Sequence, residues 1–79
     1  MRTSALKAVE VLAEAVWFDA GMLHVRLKDE RVVSVPLRWF PRLENASPLQ
    51  RDNWRLIGGG VGIHWPDLDE DVSVENLLK

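Results

Sequence analysis

The sequence predicts an α+β domain: a small antiparallel sheet, built as a three-stranded meander plus one or two further strands, with short helices packed on one face. Three observations predict it. Met22 to Lys28 alternates apolar and polar residues with a period of two, the pattern of a half-buried strand. The turns that flank it, at Ala20-Gly21 and at Lys28 to Arg31, are only a few residues long, and strands joined by such turns run antiparallel. Ser47-Pro48 and Ser73 are start signals for helices of a turn or two.

In chain order, residues Ser4 to Leu12 combine a capping serine with Leu6, Val9 and Leu12 or Ala13 at helical spacing, and read as a short helix or an irregular arm. Residues 1–13 are accordingly set apart from a single domain over 14–79. Glu14 to Asp19 carries Val16, Trp17 and Phe18, β-branched and aromatic residues that suit a first strand. In the second strand Leu23, Val25 and Leu27 share one face, and Met22, His24, Arg26 and Lys28 share the other. A third strand follows over Val32 to Val35, with Val33, Val35 and Leu37 on one side. Pro36 has no N–H to give to a ladder, so it ends that strand or lies at an edge.

Trp39, Phe40 and Leu43, with Pro41 tolerated only in a first turn, predict a short helix beginning near Arg38. In the next helix Ser47 caps and Pro48 takes the first helical position, after which the chain extends over Arg55 to Ile57. The glycine run Gly58-Gly59-Gly60 precedes a final strand, Gly62 to Trp65, stopped by Pro66. Ser73 caps a last helical turn that carries Val74, Leu77 and Leu78 to the core and leaves Glu75 and Asn76 in water.

Composition limits what such a domain can do. A chain of 79 residues buries only about 60% of the surface its unfolded form exposes, so any pocket is shallow or shared. With 47% hydrophobic and 28% charged residues it is not a disordered chain. It has no cysteine, hence no disulfide framework and no thiolate zinc site. Lys7, Glu10 and Glu14 interrupt the N-terminal apolar residues, and no apolar run approaches the roughly 18 to 20 residues of a membrane span. The expectation is a cytoplasmic protein with no membrane association. The net charge of −2 is unevenly spread: Arg31 to Arg55 carries +3 and Ile63 onward carries −4. Complementarity within the chain or between subunits is the simplest use of that asymmetry, and a nucleic-acid partner calls for a larger basic excess.

Several blocks together resemble a known family. Val35-Pro36-Leu37, Trp39-Phe40-Pro41-Arg42-Leu43, Ala46 with Arg51 and Trp54, Gly60, Gly62-Ile63-His64-Trp65, and Leu68-Asp69-Glu70-Asp71 followed by Val72-Ser73-Val74 and Leu77-Leu78 are similar, over roughly residues 14 to 78, to the small bacterial proteins grouped as domain of unknown function 2442. The signature residues are Pro36, Trp39, Pro41, Arg42, Gly62, His64, Trp65, Asp69, Glu70 and Asp71. The resemblance implies a compact α+β domain with no established catalytic activity. It also implies a partner, since members are often encoded beside another small protein in a toxin–antitoxin-like arrangement. Members usually carry Asp-Gly between the second and third strands, where this chain has Asp29-Glu30.

Read from the residues alone, the run from Gly58 to Asp71 offers several chemistries. Asp67, Asp69 and Asp71 alternate like the first ligands of a calcium loop, but Val72 and Leu78 stand where that loop needs glycine and glutamate. The glycines are followed by a strand and by no lysine, which excludes a P-loop and a dinucleotide fingerprint. They are expected to supply positive-φ turning or a close backbone approach to a tryptophan. In a strand His64 faces away from Ile63 and Trp65; Asp67 or Asp69 could orient it, but spacing suggests no serine nucleophile, and Ser34 and Ser47 have structural explanations. A structural histidine is expected at 64 and a solvated or interfacial one at 24. The acids are expected to cap the final helix and to pair with Arg38, Arg42, Arg51 or Arg55.

The functional expectation is a non-catalytic protein-interaction module without a cofactor. Its partner is a small protein encoded nearby, to which it stands as an antitoxin-like or regulatory component, or a second copy of itself. The contact residues are Arg38, Trp39, Arg42, Arg51, Trp54 and Arg55 with Asp67, Asp69, Glu70 and Asp71, since tryptophan and arginine dominate binding hot spots. One alternative is a small metal-dependent hydrolase centred on His64 and the acidic cluster 67–71 (Asp67, Asp69, Glu70 and Asp71), with His64, Asp67 and Asp69 as the metal ligands. A second is a nucleic-acid binder that stacks bases on Trp39 or Trp54.

Overall fold

The structure, a computed structural model, describes residues 11–78. The helix or arm expected over Ser4 to Leu12 lies outside them except for Val11 and Leu12, which belong to neither helix nor strand. The chain then runs through β1 (Ala13–Asp19), β2 (Met22–Leu27), β3 (Val32–Pro36), a 3₁₀ turn (Leu37–Trp39), α1 (Pro41–Glu44), α2 (Pro48–Asp52), β4 (Arg55–Ile57), β5 (Gly62–Trp65), β6 (Glu70–Ser73) and α3 (Val74–Leu77). The class is α+β. The strands form two antiparallel sheets of three, in the orders β1-β2-β3 and β4-β5-β6. The strands after the meander thus build a sheet of their own, and β6, absent from the sequence reading, completes it.

The first sheet follows its alternation. Leu23, Val25 and Leu27 are fully buried, and Val16 and Val35 join them from the flanking strands. The register sets Val16 opposite Val25 and Val25 opposite Val33 on this face, while Trp17, His24 and Ser34 form a row on the other. A bulge between Ala13 and Ala15 lets Ala13 as well as Val16 turn inward, because the extra residue resets the period of two. The β2–β3 turn is closed by the Leu27 N–H donating to the Arg31 carbonyl at 2.8 Å.

The helical segment differs from expectation in one respect. A single helix from near Arg38 is replaced by a 3₁₀ turn, an irregular Phe40 with φ −127° and ψ 86°, and then α1 with Pro41 in its first turn. Pro41 accounts for the break, since proline disfavours helical backbone in the residue before it. In α2, Ser47 Oγ accepts the Gln50 N–H and the Gln50 side chain accepts the Ser47 N–H. This reciprocal capping box satisfies two otherwise orphaned donors.

Trp65 fastens the two sheets together. It is fully buried, meets Phe18 of β1 edge-on at 6.3 Å between ring centroids, and donates its indole N–H to the Arg51 carbonyl at 2.9 Å. The Arg51 guanidinium lies 5.9 Å from the Phe18 ring centroid, within cation–π range. A backbone bond adds a second joint, from the Ala13 N–H to the Gly60 carbonyl at 2.8 Å. Gly60 has φ +121°, and a Cβ there would lie 2.5 Å from the Ala13 carbonyl oxygen. The close approach expected of the glycine run is therefore to the backbone of β1 and not to a tryptophan.

At the C-terminal end Ser73 caps α3, its Oγ accepting the Asn76 N–H. Val74 and Leu77 are buried, but Leu78 is 45% exposed, contrary to its assignment to the core. It caps the four-residue helix, where the buried face has already been filled by the other two. Among the described residues no helix is long and apolar enough to cross a membrane.

Candidate functional site

The arginine-rich and acidic segments meet inside the chain. Arg42 Nη1 donates to the Asp69 carbonyl at 2.8 Å and lies 3.9 Å from the Glu70 carboxylate. Arg51 Nε donates to the Leu43 carbonyl and Nη2 to the Glu44 carbonyl, at 2.8 and 2.7 Å. Asn53 donates to Asp67 at 3.0 Å. Both arginines spend donors on backbone carbonyls, where a charged donor is stronger than a neutral one. The acids do not cap the final helix: Glu70 and Asp71 are strand residues, and the cap is Ser73. Trp54 packs half-buried against the core.

Trp39 and Arg38 remain outward. Trp39 is 57% exposed at the end of the 3₁₀ turn, and Arg38 lines a cleft of about 570 Å³ whose walls include Phe18, Met22, Leu37 and Arg51. Asp19 and Glu44 line it as well. Arg55 is exposed at the start of β4, in register with His64, which in turn pairs with Asp71.

That register determines the partner of His64. Its Nδ1 is 2.5 Å from Asp71 Oδ1, so the orienting carboxylate is Asp71 and neither Asp67 nor Asp69. Residues 64 and 71 face each other across the β5–β6 ladder, a relation that requires knowing β6 is a strand. The set His64, Asp67 and Asp69 is not brought together, and among the described residues no three such side chains are grouped to hold a metal ion.

The outer face of the first sheet holds a constellation that sequence spacing does not reveal. His24 Nε2 lies 2.5 Å from Asp19 Oδ1, and His24 Nδ1 lies 2.7 Å from Ser34 Oγ. A carboxylate only accepts, so Nε2 carries a proton; in the neutral imidazole Nδ1 is then the acceptor and the Ser34 hydroxyl the donor. Trp17 stacks on the imidazole at 5.3 Å with an interplanar angle of 21°. His24 is thus held on three sides and not freely solvated, with its side chain 16% exposed. The available signal was cross-strand register: the row Trp17, His24, Ser34 follows once both hairpins are counted back from their turns.

Comparison with known proteins now bears on the whole arrangement. The family described as protein of unknown function (DUF2442) matches residues 13–79. The chain belongs to that family. A DUF2442-like fold is also seen in a crystal structure of a protein of unknown function from Rhodospirillum rubrum, with 30% identity and a TM-score of 0.75 over 89% of this chain and 87% of that one. An uncharacterised protein from Chromobacterium violaceum, solved by solution NMR, has the same TM-score at 22% identity, covering 95% of this chain and 71% of that one; it is similar in fold. No curated protein matches the chain.

Several residues on which the family resemblance was read take positions with structural causes. Pro36 ends β3 and Pro41 opens α1. Gly62 faces Ser73 in the β5–β6 ladder, where a Cβ would already touch the Val72 carbonyl at 3.4 Å. Asp69 has φ +51°, and its carbonyl receives Arg42. At the turn between β2 and β3, Glu30 has a left-handed backbone, with φ +78°.

Proposed function

We propose that this chain is a protein-interaction module whose contact centre is Trp39 with Arg38. The single observation that carries the reading is the exposure of Trp39, an indole left 57% in water by a domain that buries Trp65 completely. A large exposed aromatic beside an arginine is the composition of a binding hot spot. The neighbouring cleft, with Arg38 on its wall, offers a partner side chain a place to enter. Arg42 and Arg51 are structural in this reading, because their donors are already engaged by backbone carbonyls. The partner chemistry that fits is a protein with an apolar hollow for the indole and a carboxylate for Arg38.

The test is co-expression of the tagged chain with the product of the adjacent gene, followed by native mass measurement of what is retained. A complex is expected whose yield falls at least several-fold with Trp39→Ala or Arg38→Glu, while circular dichroism is unchanged. Retention of the complex by both variants would refute this contact surface. A homodimer dissociated by the same substitutions would identify a second copy as the partner.

A further inference from the structure

We propose that Ser34 is a reactive nucleophile toward small activated carboxylic esters, with His24 as its base and Asp19 as the group that orients the imidazole. The hydroxyl, imidazole and carboxylate stand in one hydrogen-bonded line of 2.7 and 2.5 Å. A nucleophile within reach of a base, and a base oriented by a third group, is the arrangement that activates a serine. In the neutral imidazole Asp19 accepts from Nε2–H, so the Nδ1 lone pair points at the Ser34 hydroxyl. Ser34 is exposed on β3, an edge strand, so a reagent in solution can reach it. Trp17 covers the imidazole, and exposed Val32, two residues before Ser34 on the same face, adds an apolar border suited to an aryl ester.

In the reaction, Ser34 Oγ forms a bond to the ester carbonyl carbon while its proton passes to His24 Nδ1. The bond from that carbon to the aryloxide oxygen breaks, and the aryloxide leaves with the electron pair. The imidazolium returns its proton to the aryloxide or to water, leaving an acylated Ser34. The expected event is one acyl transfer per chain. The inference shares only Asp19 with the cleft beside Arg38; Ser34 and His24 do not line it.

p-Nitrophenyl acetate is the probe, with release of p-nitrophenolate followed and the acetylated peptide mapped by mass spectrometry. Ser47 and Ser73 serve as internal controls, because their hydroxyls accept backbone N–H groups and touch no imidazole. Ser34 is expected to be acetylated on the order of 10²-fold faster than either control. His24→Gln should bring Ser34 down to the control rate. Asp19→Asn, at a largely exposed carboxylate that the fold can spare, should slow Ser34 more than tenfold and leave the controls unchanged. Equal rates at Ser34, Ser47 and Ser73, or full reactivity of Ser34 in a folded Asp19→Asn variant, would overturn the proposal.

Discussion

The two sheets are alike in plan and different in what sustains them. Each has three antiparallel strands, and each carries on its outer face an imidazole 2.5 Å from a carboxylate. The first is built from strands of five to seven residues with Leu23, Val25 and Leu27 aligned inward. The second has strands of three or four residues and relies on Ile63, Trp65 and Val72 for its buried face. His24 is bonded at both nitrogens and stacked on Trp17, whereas the bonded contact of His64 is to Asp71. The contrast teaches that a long strand is specified by its own pattern, while a short one exists because something elsewhere covers it.

Trp65→Ala tests that dependence most severely. It removes the indole that spans the sheets and should cost about 3–5 kcal/mol, a large share of what holds so small a domain together. Leu23→Ala in the first sheet should cost about 2–5 kcal/mol and fall below it in urea denaturation. If Leu23→Ala proves the more damaging, the second sheet does not hang on Trp65.

The joint between the sheets gives the next effect. Gly60→Ala combines a left-handed φ with a Cβ 2.5 Å from the Ala13 carbonyl oxygen, and about 2–4 kcal/mol of destabilisation is expected from strain and a disturbed hydrogen bond. Gly59→Ala has φ +74° but nothing within 4 Å of its Cβ, so only the backbone cost of about 1–2 kcal/mol applies. Equal melting temperatures for the two variants would show that the contact with β1 is unimportant.

The first sheet's turn can be improved. Glu30 holds φ +78°, a conformation glycine adopts freely, so Glu30→Gly should stabilise the chain by about 0.5 kcal/mol after glycine's greater unfolded entropy is counted. A lowered melting temperature would mean that the Glu30 side chain contributes something the turn geometry does not show. Smallest is the pH effect at the same turn. Asp29 is held below its ordinary value of 3.8, first by the Arg31 backbone N–H and then by the Arg31 side chain. Its carboxylate therefore favours the folded state above the unfolded pKa, and the contribution fades as pH falls through the depressed folded value. An NMR titration should place Asp29 below 3.8 and move it upward in Arg31→Ala.

The candidate surfaces were legible to different degrees for the same reasons. Trp39 and Arg38 could be nominated from residue type, but type could not separate them from Arg42 and Arg51, whose guanidinium groups are occupied by carbonyls more than seven residues away or by the adjoining helix. The partner of His64 depended on β6, whose residues Glu70-Asp71-Val72-Ser73 are too few and too acidic to announce a strand. Asp19, His24 and Ser34 lie in three strands and share no motif; only the register of two hairpins aligns them.

By itself the sequence determined the α+β class, the meander, the proline and serine boundaries of the helices, and membership of its family, because alternation, turns and caps are local properties of consecutive residues. Tertiary structure alone decided that the strands form two sheets, that Gly60 meets the backbone of Ala13, that Trp65 goes inside while Trp39 stays out, and that a serine, a histidine and a carboxylate stand in line. Those outcomes depend on which distant surfaces compete for the same buried space, and no local pattern records the result of that competition.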